Sequence, residues 1–320
     1  MRKIAVLTSG GDAPGMNAAV RAVVRKGIFL GLKVCGIERG FAGLINGSPF
    51  RPMDLGSVAG IIHRGGTVLH TARAPEFKEK AVQEKAATRL RQEEISGLVV
   101  IGGDGSFRGA QALETLGIKT AGIPGTIDND IPGTENTIGF DTAVNTVLDA
   151  LNRLRDTATS HERIFVVEVM GRNNGNIALA AGLAGGAESI LVPEIPFDLD
   201  DVCRRLVKGM QRKKTHSIIL VAEGAASAFT VGREIEQKTG METRVTVLGH
   251  IQRGGSPTAA DRLLASRMGA AAVDLLWEGR GGLITGIKGG EIYPVPMMDA
   301  FMHGRTFPVD LYELALVLAM

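Results

Sequence analysis

Short apolar runs separated by longer amphipathic stretches are the feature of this chain that most restricts its fold. The runs that predict strands are residues 4–7, 34–37, 98–101, 120–123, 164–169, 189–192, 218–221 and 245–248. Because these runs are apolar throughout, both faces of each strand must be covered, which is typical of parallel sheets flanked by helices. The pattern therefore predicts an α/β fold.

The stretches between the runs carry helical periodicity. Val144, Val147, Leu148 and Leu151 repeat at i, i+3, i+4 and i+7 and predict an amphipathic helix, and residues 259–276 predict another. The composition agrees, since 44% hydrophobic residues supply a core while 43 glycines and only 4% aromatic residues suit many tight turns. The length of 320 residues allows two domains or one large domain.

Several predicted strands are followed by glycine or polar residues. These segments are Gly-Gly-Asp at 10–12, Gly-Gly-Asp at 102–104, residues 126–130, Met-Gly-Arg at 170–172, Glu223 and Gly-His at 249–250. Ligands of an open parallel sheet bind beyond the carboxyl ends of its strands. The arrangement therefore predicts a single large cleft.

Two of these segments indicate phosphoryl transfer. Residues 102–106 let main-chain N–H groups come close to phosphate oxygens, beside a carboxylate that suits Mg²⁺. Asp128 and Asp130 stand two positions apart, so that one can accept a proton from a substrate hydroxyl while the other faces the metal. The alternatives are a tight turn at the first segment and a capped helix start at the second. Residues 102–106 match neither a Walker loop nor the dinucleotide-binding Gly-x-Gly-x-x-Gly motif.

Further anion-binding residues are predicted outside these two segments. Residues 9–17 join a strand to a helix and form either a phosphate-binding helix N-terminus or a tight turn. The basic residues that flank predicted strand ends are Arg163, Arg172, Arg244, Arg253 and His250. A guanidinium group binds two phosphate oxygens at once, so this set favours a phosphate clamp. Arg21 and Arg25 share a helix face that is either solvated or a second anion site.

Charge and cysteine content bound the class of protein. The near balance of 36 Lys+Arg against 34 Asp+Glu argues against nucleic-acid binding through bulk charge. Cys35 and Cys203 lack metal-ligand spacing and are expected to be reduced thiols. The first residues lack the features of a signal peptide, and no run reaches the ~18 apolar residues of a membrane span. We therefore expect a cytoplasmic protein without membrane contact.

Five segments together resemble one family, the bacterial ATP-dependent 6-phosphofructokinases of type A. They are residues 7–19, 102–106, 124–130, 169–172 and 248–257. The resemblance implies two similar doubly wound domains, with mainly parallel sheets flanked by helices and an active site in the cleft between them. It implies an ATP-binding domain in residues 1–138 plus 251–305 and a sugar-phosphate-binding domain in residues 139–250 plus 306–320. It also implies a homotetramer in which Arg163 and Arg244 serve a neighbouring subunit's active site.

The resemblance implies phosphorylation of fructose 6-phosphate by ATP at the 1-hydroxyl, in glycolysis and under allosteric control. By it, Asp128 is the general base, Thr126 and Arg172 are further catalytic residues, and Asp104 binds Mg²⁺. The implied ATP residues are Gly11, Arg73, Ala74, Gly103, Asp104, Gly105 and Ser106. The implied sugar-phosphate residues are Thr126, Ile127, Asp128, Arg163, Met170, Gly171, Arg172, Glu223, Arg244, His250, Ile251, Gln252 and Arg253. The implied effector site for ADP or phosphoenolpyruvate comprises Arg21, Arg25, Arg155, Gly186, Glu188, Arg212, Lys214, Thr215 and His216.

The sequence leaves alternatives open for the identity of the phosphoryl donor and for the class of protein. Gly105 and Gly125 stand where pyrophosphate-dependent relatives carry Asp and Lys, which favours ATP, whereas Ala74 lacks the aromatic ring that relatives often place near the nucleotide. A pyrophosphate-dependent phosphofructokinase and a non-catalytic regulatory subunit are the alternatives, and the presence of both acidic motifs favours an enzyme. NAD and lipid kinases share a Gly-Gly-Asp-Gly signature but lack segments like 126–130 and 250–257.

Overall fold

The structure is a computed structural model that describes residues 2–161, 163–212, 214, 216–302 and 304–319. Its strands and helices are, in chain order, β1 (Lys3–Thr8), α1 (Met16–Phe29), β2 (Lys33–Ile37), α2 (Gly40–Ile45), β3 (Phe50–Met53), α3 (Lys80–Gln92), β4 (Gly97–Gly102), α4 (Asp104–Thr115), β5 (Lys119–Pro124), α5 (Phe140–His161), β6 (Ile164–Val169), α6 (Asn176–Gly185), β7 (Ser189–Leu191), α7 (Leu199–Gln211), β8 (Ser217–Ala222), α8 (Ala228–Thr239), β9 (Thr243–Val247), α9 (Ala259–Trp277), β10 (Leu283–Lys288), β11 (Glu291–Pro296), α10 (Asp299–Met302) and α11 (Val309–Leu318). Short 3₁₀ helices occur at Pro75–Lys78 and Gly249–Arg253. The chain forms two compact units: unit 1 is residues 1–142 with 253–305, and unit 2 is residues 143–252 with 306–320.

Unit 1 is built on a seven-stranded sheet in the order β11-β10-β5-β4-β1-β2-β3. The strands from β10 to β2 in this order are parallel, whereas the edge strands β11 and β3 are antiparallel to their neighbours. Every residue of the central strand β4 is buried, as expected of a strand covered on both faces. The α/β fold and the strands predicted within the first 125 residues are confirmed.

Sequence reasoning missed β3, β10 and β11. Most residues of β3 and β11 are exposed or half-buried, and β10 is buried only over its central part. The edge strands β3 and β11 are partly open to solvent, and β10, which lies between β11 and β5, has exposed or half-buried ends, so none of the three carries a run that is apolar throughout. A search of the sequence for runs that are apolar throughout therefore does not find these strands.

Helices α1 and α9 pack against each other in unit 1. A Cβ atom at Gly269 would lie 2.7 Å from the Cβ of Ala22 and 2.9 Å from the carbonyl oxygen of Ala19. Glycine therefore lets the two helix backbones approach closely. A separate core cluster includes the fully buried Phe107 of α4, a burial that stabilises the fold by roughly 1.5–3 kcal/mol. The helix predicted over residues 259–276 is confirmed by α9.

Unit 2 contains a four-stranded sheet, β7-β8-β6-β9, in which all strands are parallel. Helix α5, which confirms the periodicity predicted from Val144 onward, begins at Phe140 and continues into this unit. The side chain of Asp198 accepts a hydrogen bond from the backbone N–H of Asp200 and caps the start of α7. Strand β9 begins two residues before its predicted start, and the other predicted strands of this unit are confirmed.

Both cysteines are buried and form no disulfide bond. The Cys35 thiol donates a weak hydrogen bond to the Ile4 carbonyl oxygen at 3.5 Å. Burial raises the pKa of this thiol to about 11, so it stays protonated at neutral pH. Within the part of the chain that the structure describes, every helix is too short or too polar to cross a bilayer.

Candidate active site

Three loops of unit 1 meet at one edge of its sheet. Because β1, β4 and β5 are adjacent and parallel, the segments that follow them leave from the same edge. The N–H of Ser9 donates to the Ile101 carbonyl oxygen at 2.9 Å, and the N–H of Gly125 donates to the Gly102 carbonyl oxygen at 3.0 Å. Both predicted acidic segments therefore lie side by side.

The glycine-rich segment opens helix α4. The helix begins at Asp104, directly after Gly103, so its first turn presents backbone N–H groups at the positive end of the helix dipole. A Cβ atom at Gly105 would meet no atom within 4 Å, and one at Gly103 would meet the Cβ of Thr126 at 3.8 Å. The backbone here is open on one side and borders the segment after β5, which suits a phosphate chain.

Asp104 is a half-exposed carboxylate at this helix start. Its side chain is 41% exposed, and Oδ2 accepts a hydrogen bond from Nε of Arg108 at 3.1 Å. Among the described residues, no group of three or more His, Cys, Asp or Glu side chains forms a closed metal cage. Mg²⁺ in phosphoryl-transfer sites is usually held by one or two carboxylates together with phosphate oxygens and water. An accessible carboxylate beside an anion-binding helix start fits that requirement.

The segment after β5, residues 126–137, is here called the acidic loop. Thr126 Oγ1 accepts a hydrogen bond from the N–H of Asp128 at 3.2 Å, and Thr137 Oγ1 donates to the Thr126 carbonyl oxygen at 2.6 Å. The Thr137 N–H donates to Oδ1 of Asn129 at 2.9 Å. Asp128 and Asn129 are each only 3% exposed. The loop is therefore closed by its own hydrogen bonds and holds Asp128 in a largely buried position.

Arg253 covers the backbone of Gly11. A Cβ atom at Gly11 would collide with the guanidinium group, whose Nη1 also donates to the Asp12 carbonyl oxygen at 3.4 Å. A side chain at this position would therefore displace the guanidinium group of Arg253. The contact brings a predicted ATP residue together with a predicted sugar-phosphate residue inside unit 1.

Asn17 anchors the loop that carries Arg73 and Ala74. Its buried side chain donates to the carbonyl oxygens of Arg64 and Gly65 at 3.0 and 3.1 Å and accepts from the N–H of Val68 at 2.8 Å. Thr71 Oγ1 donates to the Gly10 carbonyl oxygen at 2.7 Å. These bonds hold the loop against the Gly-Gly-Asp turn after β1. Arg73 is exposed, and Ala74 precedes the 3₁₀ helix.

In unit 2, Glu223 and Gln252 hold the turn after β6. Oε1 of Glu223 accepts hydrogen bonds from the N–H groups of Gly171 and Arg172 at 3.2 and 2.7 Å. Gln252 is fully buried, and its Oε1 accepts from the N–H of Met170 at 3.3 Å. Arg172 has a left-handed backbone with φ of 53°, which is uncommon for a residue with a side chain. These five predicted sugar-phosphate residues thus meet at the carboxyl edge of β6 and β8. A sixth, His250, lies two residues from Gln252 and is exposed.

Arg163 and Arg244, here called the arginine pair, lie at the opposite edge of the same sheet. Arg163 precedes β6, and Arg244 is the second residue of β9. Nε of Arg163 lies 2.8 Å from Oε2 of Glu242, and Nη2 of Arg244 bonds Oε1 of the same carboxylate. Arg163 and Arg172 flank the two ends of β6, as expected, whereas Arg244 lies within β9. His250 and Arg253 lie in the 3₁₀ helix that follows β9. The arginine pair is at the amino edge, whereas Arg172 is at the carboxyl edge.

The predicted effector residues are only partly gathered in unit 2. Nη2 of Arg155 donates to the carbonyl oxygens of Gly185 and Gly186 at 2.6 and 3.1 Å. Nζ of Lys214 lies 2.7 Å from Oε1 of Glu188, whose other oxygen accepts from the N–H of Ile218. The remaining residues of this set that the structure describes are Arg212 and His216 in unit 2 and Arg21 and Arg25 on α1 in unit 1. Thr215 lies outside the described residues.

Two residues with structural contacts to the site were missed by sequence reasoning. Glu242 stands two positions before Arg244 at the start of a strand, and a period of two puts such side chains on one face, so this spacing is a signal. Arg305 bonds the acidic loop from 176 positions away from Asn129, and no local pattern marks it.

Comparison with known proteins places the chain among enzymes of one kind. The sequence profile described as phosphofructokinase matches residues 3–276. The chain belongs to the phosphofructokinase family. It is 58% identical to the ATP-dependent 6-phosphofructokinase of Bacillus cytotoxicus and 58% identical to that of Halalkalibacterium halodurans, in each case over 98% of both chains.

Solved phosphofructokinase structures share the fold of this chain. The phosphofructokinase of Saccharomyces cerevisiae is 37% identical with a TM-score of 0.87, over 94% of this chain and 45% of that chain. This chain therefore spans less than half of the yeast chain. The pyrophosphate-dependent phosphofructokinase of Marinobacter aquaeolei is 23% identical with a TM-score of 0.88, over 97% of this chain and 86% of that one. At that identity the likeness shows the fold alone.

Proposed function

We propose that this chain transfers the γ-phosphoryl group of ATP to the 1-hydroxyl of fructose 6-phosphate, which gives fructose 1,6-bisphosphate. The observation that carries the proposal is the buried Asp128 in a loop beside the open helix start at Asp104. Full-length relatives named ATP-dependent 6-phosphofructokinase support it. The assignment of glycolysis follows from the same reaction, and the cytoplasmic location stays a prediction.

The residues divide by the ligand that they serve. ATP contacts Gly11, Arg73, Ala74, Gly103, Asp104, Gly105 and Ser106 in the proposed complex. The sugar phosphate contacts Thr126, Ile127, Asp128, Met170, Gly171, Arg172, Glu223, His250, Ile251, Gln252 and Arg253, together with the arginine pair. The backbone N–H groups at the start of α4 bind phosphate oxygens and require no side chain.

Asp128 accepts the proton of the 1-hydroxyl as the oxygen attacks phosphorus. Correct placement of a general base contributes about 10²–10⁴-fold to a rate. Arg172, with Thr126 and the helix start of α4, stabilises the negative charge on the transferring group. Asp104 would hold Mg²⁺, which when bound neutralises charge on the phosphate oxygens.

ATP is favoured over pyrophosphate as the donor. Space is open around Gly105, where a Cβ atom would meet no neighbour within 4 Å. A charged side chain at this position would extend into that open space and bring its charge close to the phosphates of the nucleotide. Relatives that are 58% identical over 98% of their length carry ATP in their names, whereas the likeness to the pyrophosphate-dependent protein, at 23% identity, shows only the fold.

Subunit sharing and effector control complete the proposal. We assign the arginine pair to the 6-phosphate of a sugar bound by a neighbouring subunit, in a homotetramer. The half-buried Arg163 and the more exposed Arg244 both contact Glu242, and a guanidinium group has further N–H donors that can bind an incoming phosphate. The cationic set around Arg155 and Lys214 would bind ADP or phosphoenolpyruvate.

A donor experiment tests the function. Formation of fructose 1,6-bisphosphate is measured by a coupled assay with fructose 6-phosphate and either ATP or pyrophosphate, with and without EDTA. We expect turnover with ATP, none with pyrophosphate, and loss of turnover when EDTA removes Mg²⁺. Turnover with pyrophosphate alone would establish the alternative donor. Binding of both ligands without turnover would establish a regulatory subunit. Addition of ADP or phosphoenolpyruvate to the same assay tests effector control.

A further inference from the structure

Arg305 bonds the acidic loop at three points. Its Nη1 donates to Oδ1 of Asn129 at 2.7 Å and to the carbonyl oxygen of Thr134 at 3.0 Å, and its Nη2 donates to the carbonyl oxygen of Glu135 at 2.7 Å. The planar guanidinium group is needed for this pattern, since two terminal nitrogens held in one plane reach acceptors on both sides of the loop. The side chain is mostly removed from solvent, and this desolvation lowers its pKa, while the carboxylates of Asp130 and Glu135 act in the other direction.

Asn129 transmits this contact to the middle of the loop. Its Oδ1 accepts hydrogen bonds from both Arg305 and the N–H of Thr137, and its Nδ2 donates to the Glu135 carbonyl oxygen at 3.2 Å. Its backbone is left-handed, with φ of 51°, a conformation that asparagine tolerates better than most residues but that still needs support. Because Asn129 stands between Asp128 and Asp130, its backbone angles set the directions in which both carboxylates leave the chain.

The loop has a second anchor that does not reach Asn129. The N–H of Glu135 donates to the carbonyl oxygen of Ile287 at 2.9 Å, and the N–H of Ile287 donates to Oγ1 of Thr134 at 3.1 Å. These bonds attach the outer part of the loop to β10. Loss of Arg305 would therefore leave residues 134 and 135 in place while it releases the side chain of Asn129 from one of its partners.

We propose that Arg305 is a positioning residue for the phosphoryl transfer, which through Asn129 holds the acidic loop in the conformation that presents Asp128 to the substrate hydroxyl. The inference rests on the proposed function for its kinetic consequence, but not for its structural one. Arg305 acts on the reaction through the loop and touches no reacting atom.

Three variants test this role in the full-length chain. Arg305→Ala removes the guanidinium group, Arg305→Lys keeps the charge but offers one nitrogen in place of the fork, and Arg267→Ala is the control. Arg267 is exposed on α9 of the same unit and donates to a single carbonyl oxygen, that of Gly290, at 2.6 Å. The measurements are kcat, KM for both substrates, rescue by added guanidinium ion at sub-denaturing concentration, and hydrogen–deuterium exchange of a peptide covering residues 126–139 in the ligand-free protein.

We expect Arg305→Ala to lower kcat by about 10²-fold, the size of effect that follows from a small misplacement of a catalytic group, with little change in either KM. The lysine variant should lie between the alanine variant and wild type, and guanidinium ion should restore part of the kcat of Arg305→Ala and none to Arg267→Ala. Exchange in residues 126–139 should increase in Arg305→Ala and not in the control.

Unchanged kcat together with unchanged exchange in Arg305→Ala would overturn the proposal. If Arg305→Ala does not fold, Arg305→Lys decides it: wild-type kcat and exchange in a folded lysine variant would also overturn it. If wild-type protein shows no phosphoryl transfer, the proposed function fails. The exchange measurement alone then decides whether Arg305 holds the acidic loop. Increased exchange in Arg305→Ala supports this role, and unchanged exchange refutes it.

Discussion

The acidic loop of unit 1 and the arginine pair of unit 2 are built in opposite ways. The loop is largely buried and hydrogen-bonded within one unit, with contributions from β10 and Arg305. The arginine pair lies at the amino edge of a sheet, where both side chains pair with the half-exposed Glu242. Under the proposed function, the group that takes part in the chemistry would be held in one geometry by its own chain, whereas the groups that bind an incoming phosphate would lie closer to solvent.

The largest expected effect is that of a substitution in the acidic loop. Asp128→Asn should lower kcat by about 10²–10⁴-fold, because it removes the proton acceptor while keeping the size of the side chain. Both KM values and the thermal midpoint should change little. Steady-state kinetics and calorimetry check this. Asp130→Asn is the matched control, and an equal loss of kcat in both variants would mean that the two carboxylates act as one unit and not as a base with a neighbour.

A substitution in the arginine pair should weaken the binding of fructose 6-phosphate. Arg244→Ser removes charge-assisted hydrogen bonds to the sugar phosphate, each of which contributes about 1.5–3 kcal/mol, so KM for fructose 6-phosphate should rise by about 10–100-fold. The thermal midpoint should stay near that of wild type since the residue is half-exposed. The control is Arg233→Ser, an exposed arginine of α8. An unchanged KM would remove the arginine pair from the sugar-phosphate site.

A smaller effect is expected from Gly105→Asp. The added carboxylate has open space around it, so the fold should tolerate it. Its repulsion of the ATP phosphates in a partly solvated site is about 1 kcal/mol, which corresponds to a several-fold rise in KM for ATP. Kinetics at varied ATP measures it. An unaltered KM for ATP would indicate that the nucleotide does not approach the start of α4.

The smallest effect concerns pH and the arginine pair. The hydrogen bond from Arg163 is the main cause that lowers the pKa of Glu242 from its ordinary 4.5, and the charges of Arg163 and Arg244 add to it. A lowered folded-state pKa contributes stability that is present above the unfolded pKa and is lost as the pH falls through the folded value. Wild type should therefore be slightly more stable than Glu242→Gln at pH 7, and the difference should begin to decrease near pH 4.5 and vanish once the pH is below the lowered folded-state pKa. Thermal melts across this range measure it, and a pH-independent difference would contradict the ion pairing.

The sequence predicted the buried strands and the segments that follow them because both depend on local patterns. A strand covered on both faces must be apolar throughout, so β4 and β6 are visible without a structure, whereas the exposed edge strand β3 is not. The carboxylates of the acidic loop could be recognised from the sequence. The contacts of the loop with Arg305 could not, because the hydrogen bond to Asn129 joins residues 176 positions apart, and no periodicity spans that distance.

The contact between the arginine pair and Glu242 also needed the structure. The predicted strand at residues 164–169 already puts Arg163 and Arg172 at opposite ends, but it does not show what lies beside Arg163. The glutamate that joins Arg163 to Arg244 comes from the start of β9, which pairs with β6. Sheet pairing brings Arg163 to the other two side chains, which stand two positions apart in the sequence.

The most direct test is phosphorus NMR of the purified protein with ATP, Mg²⁺ and fructose 6-phosphate. Transfer to the sugar predicts loss of the ATP γ resonance, growth of ADP, and one new phosphate monoester resonance that matches the 1-phosphate of fructose 1,6-bisphosphate. Release of the γ-phosphoryl group as inorganic phosphate without that ester, or an unchanged spectrum from correctly folded protein, would contradict the proposed reaction.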